Sequence, residues 1–85
     1  MTEAIILIDP ASATVEKRNI AFSALVNDDT RKFSVSIADF QHFGVENAKL
    51  DPAGSVAVIS GNLAALIQAK ARKNEFLATT KLAPL

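Results

Sequence analysis

The chain has 85 residues, 49% of them apolar and 21% charged, with a formal charge of zero and no cysteine. That is one domain with apolar material for a single core. It excludes a disordered chain, a disulfide scaffold and a thiolate metal site.

The first segment, "AIILI" from Ala4 to Ile8, is a short continuous apolar run closed by Asp9-Pro10, and it reads as a strand buried on both faces. The run is far below the ~20 apolar residues of a membrane span, and no charged region precedes it as in a signal peptide. Together with the absence of disulfides this gives a cytoplasmic expectation. "DPASATVEKRN" then reads as a loop, because proline sets a turn and Ser and Thr compete with regular structure through local hydrogen bonds.

In "NIAFSALVNDDTRKFSVSI" the pattern changes to period two. Ile20, Phe22, Ala24 and Val26 alternate with Ala21, Ser23 and Leu25, and Phe33, Val35 and Ile37 with Lys32, Ser34 and Ser36. This predicts a hairpin with strands over 19–26 and 31–37 and Asn27-Asp28-Asp29-Thr30 as its turn. The second strand feeds a short helix over 37–43, capped by Ser36 with Asp39 three residues on, and ended by Gly44. Ile37, Phe40 and Phe43 form its apolar edge.

After Asp51-Pro52-Ala53-Gly54, the β-branched Val56, Val58 and Ile59 predict a further strand over 55–59. The competing reading is one long helix with Asp51 as its cap and Pro52 in its first turn. Asn62 then opens a helix over 62–77. Leu63, Leu66, Ile67 and Leu77 share its apolar face, which fades where Lys70 and Asn74 enter it. Phe76 points away from that face, and the tail over 78–85 reads as extended or as a contact segment.

The fold class expected is α+β: a small, mainly antiparallel sheet of three to four strands against a C-terminal helix and one short helix. Phe22, Phe33, Val35, Ile37, Phe40, Leu63, Leu66 and Ile67 are its expected core.

Chemistry is sparsely supplied. His42 is the only histidine, and Asp39 one turn earlier is spaced to orient it; the plainer reading is a surface imidazole at a helix C-terminus. Asp28-Asp29 has too few oxygens for a calcium loop. "ISGNLAAL" has the strand-glycine-helix order of a phosphate turn but neither the second glycine nor the lysine that such turns need. No catalytic, cofactor or metal residue is therefore assigned.

Charge is uneven, with Glu3, Asp9, Glu16, Asp28 and Asp29 early in the chain and Lys70, Arg72, Lys73 and Lys81 late. Such ends either neutralise each other in space or mark a surface for a partner. The residues singled out for contact are Lys70, Arg72, Lys73, Phe76 and Leu82.

"NIAFSALVNDDTRKFSVSI" followed by "GNLAALIQAKARK" resembles a family of short bacterial domains of unknown function. In that family a phenylalanine-centred strand, a turn, a second strand and a capped short helix precede a closing helix. Phe22 matches the phenylalanine, Ser36 the helix start, and Asn62 and Leu66 the closing helix. The resemblance, over roughly Val15 to Phe76, implies this fold and a bacterial or phage cytoplasmic setting, without an activity.

The functional expectation is a non-enzymatic interaction or accessory protein whose partner is a second copy or another bacterial protein, with no membrane involved. The alternative is a nucleic-acid-associated regulator that uses Lys70, Arg72 and Lys73.

Overall fold

The alternation around Asn27 produces the predicted hairpin. In the computed structural model, which describes residues 3–84, β2 (Asn19–Val26) pairs antiparallel with β3 (Asp29–Ser36). Phe22 lies opposite Phe33 and Ile20 opposite Val35, so one face carries Ile20, Phe22, Ala24, Val26, Phe33 and Val35, all buried. The turn is tighter than predicted. Asn27 and Asp28 alone make it, at φ +50° and +69°, and Asp29 and Thr30 already belong to β3. Two left-handed central residues match the right-handed twist of the strands, and Asn and Asp tolerate that conformation best after glycine.

The predicted loop after "AIILI" is a correction. A single strand, β1 (Ile6–Glu16), runs through it and pairs antiparallel with β2. Asp9 faces Ser23 while Thr14 faces Ala21, so β1 carries extra residues in a bulge. β1 is the sheet edge, where Pro10 removes no ladder bond. Inside the bulge Ser12 takes over from the backbone: its Oγ accepts from the Ser23 N–H (2.8 Å) and donates to the Asp9 carbonyl (2.6 Å). The Ala11 N–H donates to Asp9 Oδ1 at 3.2 Å. The local hydrogen bonding that suggested a loop holds a bulged strand instead.

The turn from β1 to β2 places Lys17 at φ +59°. Exposed and without a side chain suited to that region, Lys17 is strained. Lys17→Gly is expected to raise the unfolding free energy by about 0.5–1 kcal/mol, read from urea denaturation, since relief of the left-handed cost of ~1–2 kcal/mol exceeds the added chain entropy. An unchanged or lower midpoint would refute the strain.

Helix α1 (Ile37–His42) starts as predicted, with Ser36 Oγ accepting from the Asp39 N–H at 3.0 Å, and Gly44 follows it at φ +86°. The strand predicted over 55–59 is instead helix α2 (Pro52–Val58). Asp51 Oδ1 accepts from the Gly54 N–H at 3.0 Å, the Ser55 hydroxyl donates to the Asp51 carbonyl at 2.7 Å, and Pro52 sits in the first turn. A good cap stabilises a helix start by about 1 kcal/mol, more than the few tenths by which each valine disfavours a helix. Burial of Val56 and Ile59 in the core completes the preference. A Cβ at Gly54 would stand 2.1 Å from Asp51 Oδ2, so a larger residue there displaces the capping carboxylate.

The chain then bends by 74° into α3 (Ser60–Lys73), so the long-helix alternative also fails. Asn62 does not cap α3, which carries no side-chain cap; the Leu63 N–H donates to the Ile59 carbonyl at 2.9 Å. Asn74, left-handed at φ +52°, ends the helix before Glu75, and Leu77 is exposed rather than in the core.

The fourth strand comes from the tail. β4 (Thr79–Leu82) runs parallel to β3, giving the order β1-β2-β3-β4, with Thr80 opposite Phe33 and Leu82 opposite Val35. The result is the predicted α+β class, mainly antiparallel with one parallel pair. Leu63, Leu66 and Ile67 of α3, Phe40 of α1 and Val56 of α2 complete the core with the sheet; Ile37 is only partly buried. Leu85, the last residue of the tail, lies outside the described residues.

Candidate interaction surface

The five residues singled out for contact are divided by the fold. Leu82 is fully buried beneath the sheet. Phe76 is partly buried, set edge-on to Phe33 at 5.9 Å, with the Arg31 guanidinium 5.0 Å above its ring. Both close the core of their own chain.

The cations separate as well. Arg72 is ion-paired with Glu3, which joins the basic helix to the acidic end of the chain. Lys70 and Lys73 border a depression of about 250 Å³ with Lys81, Glu75 and Pro84. His42 is exposed at the end of α1, edge-on to Phe43. Among the described residues no group of three or more His, Cys, Asp or Glu is placed to hold a metal ion.

What remains open is the other face of the sheet and the outer edge of β1. The helices contribute to one face only. On the opposite face Leu7 lies directly across from Leu25, and its neighbour Ile5 pairs with Asn27: the Asn27 N–H donates to the Ile5 carbonyl and the Ile5 N–H to Asn27 Oδ1, each at 2.9 Å. Ile5 is 69% and Leu7 58% exposed. Beside them Ser12, Thr14, Asn19, Ser23, Lys32 and Ser34 surround a shallow polar hollow of about 710 Å³.

Strand alternation fixes the β1 edge. With Ile5 bonded to Asn27, Leu7 and Asp9 turn their main-chain groups toward β2, and Ala4, Ile6 and Ile8 turn theirs outward. Ala4 is satisfied by α3: its N–H donates to Gln68 Oε1 at 3.0 Å, and Gln68 Nε2 donates to its carbonyl at 2.9 Å. One and two turns earlier α3 carries Ala64 and Gly61, which offer Ile6 and Ile8 no such partner. A groove of about 370 Å³ runs there, between Ile6 and Ile8 on one side and Ala57, Ser60, Gly61 and Ala64 on the other.

The sequence conceals this surface because "AIILI" is apolar at every position. The distinction between Leu7, exposed, and Ile6 and Ile8, packed against the core, depends on which face of the sheet the helices cover. No helix among the described residues is by itself long and apolar enough to cross a membrane. Comparison of the chain with protein-family models, curated proteins and solved structures found no match.

Proposed function

We propose that this chain is a non-enzymatic interaction module, a small bacterial or phage accessory protein of the cytoplasm that works through protein–protein contacts. The observation that supports it is the pair Ile5 and Leu7, adjacent on one face of an edge strand and more than half exposed. Isolated surface leucines are ordinary, but two large aliphatics beside an open strand edge form a patch with a direction and a hydrogen-bonding requirement. The contact surface thus lies along β1 rather than along Lys70 to Phe76, where Phe76 and Leu82 serve the core and Arg72 holds Glu3.

The test is purification of the native chain from its source cells beside a Leu7→Lys variant. Leu7→Lys is a surface change expected to alter stability by less than about 0.5 kcal/mol. The wild type is expected to carry a stoichiometric protein partner, or a second copy of itself, that the variant loses while keeping its circular dichroism spectrum. A wild-type chain that is monomeric at high concentration and carries no protein would overturn the reading.

A further inference from the structure

Resting on the interaction-module reading, we infer that the partner at this surface is a second copy of the same chain, joined by antiparallel pairing of β1 with β1 about a two-fold axis through Leu7. The main-chain chemistry identifies the occupant. Ile6 and Ile8 each aim an N–H and a carbonyl outward, and an extended strand matches both residues at that spacing. Gln68 imitates such a strand at Ala4, with a side-chain amide that donates and accepts as a peptide unit does. Its reach ends there, and Pro10, at the other end, has no N–H to offer. The open stretch is therefore bounded on both sides and centred on Leu7.

The bounded stretch is self-complementary in one register. With Leu7 at the axis, Ile6 of each copy faces Ile8 of the other, which makes four main-chain hydrogen bonds. Beyond them the strands part: Gln68 already fills the outer side of Ala4, and Pro10, which would otherwise fall there, has no N–H, so the ladder stops at both ends without a lost donor. Shifting the axis to Ile6 sets Glu3 opposite Asp9, two like charges face to face, and asks Ala4 for bonds it has given to Gln68. Shifting it to Ile8 sets Ile6 opposite Pro10 and forfeits a donor.

Registers centred between residues bring outward groups against inward ones and make no ladder. In the Leu7-centred register Asp9 faces Ile5 and Glu3 stays with Arg72 of its own chain, so no two acids meet. The side chains agree with this. Leu7 packs against Leu7 on the open face, while Ile6 and Ile8 of the second copy point toward the groove beside Ala57, Gly61 and Ala64. The groove is empty at Gly61, where an added Cβ meets nothing within 4 Å. Such an interface is isologous, as closed dimers require.

The register is tested by single cysteines, since the chain has none of its own. Residues directly opposite at a non-hydrogen-bonded position have Cα atoms roughly 4.5 Å apart, inside the disulfide range. Under mild oxidation Leu7→Cys is expected to give covalent dimer at least tenfold faster than Ile5→Cys or the exposed Val58→Cys. Light scattering of the wild type should give twice the chain mass, and Leu7→Lys should give a monomer whose Ile6 and Ile8 amides exchange faster with solvent.

Equal cross-linking of Leu7→Cys and Val58→Cys overturns the inferred register. A monomeric wild type that holds a different protein, lost in Leu7→Lys, overturns the homodimer and leaves the interaction-module reading standing. A monomeric wild type that holds nothing overturns both.

Discussion

Phe33→Ala is expected to lower the unfolding free energy by about 3–5 kcal/mol, the usual cost of deleting a buried aromatic. Phe33 is fully buried at the centre of the sheet, stacked on Phe22 at 5.8 Å and met edge-on by Phe76 at 5.9 Å. It is flanked by Phe22 on β2 and Thr80 on β4, so its removal opens a void under both hairpin and tail. For a domain of this size, total stability is of the order of 5–10 kcal/mol, and the variant should melt far below the wild type in thermal circular dichroism. A loss under about 1 kcal/mol would mean that the three rings do not form one cluster.

Leu82→Ala is expected to cost about 2–5 kcal/mol, whereas Leu77→Ala, at a position that is 70% exposed, should stay within about 0.5 kcal/mol. The comparison separates two roles for the apolar tail. A residue reserved for a partner leaves the isolated chain indifferent to its loss; Leu82 lies opposite Val35 and beneath α3, so β4 is part of the folded unit. Urea midpoints of the two variants side by side decide it. Equal midpoints would place Leu82 at the surface and detach β4 from the sheet.

The parts of this fold that were legible in sequence are those whose signal is local. The alternation from Ile20 to Val26 and from Phe33 to Val35 specifies a hairpin without reference to the rest of the chain, and Ser36 with Asp39 marks a helix start in the same way. Over residues 55–59 the β-branched Val56, Val58 and Ile59 favour a strand by propensity, while the outcome is set upstream by the Asp51 cap and across the core by the burial of Val56 and Ile59. β4 left no readable trace: "TTKL" is short, and its partner β3 lies on the far side of all three helices.

The exposed apolar pair on β1 is hidden for a related reason. Exposure of Leu7 follows from the helices covering only the opposite face of the sheet, a property of the fold and not of the segment. Lys70, Arg72 and Lys73 were visible as a charge cluster, but proximity in sequence did not reveal that Arg72 meets Glu3 from the other end of the chain.

The two edges of the sheet are not equivalent. β4 is four residues long, carries the exposed Lys81 and is followed by Pro84, three features that discourage a strand from adding beside it. β1 is the longer edge, and around Leu7 it has neither a proline nor a lysine to discourage a neighbour. A sheet that is receptive at one margin and blunted at the other does not propagate: pairing two receptive margins leaves only blunt ones outside. In the proposed dimer the same asymmetry would limit association: two four-stranded sheets joined at β1 would leave β4 at each margin, a finite eight-stranded assembly rather than a fibre.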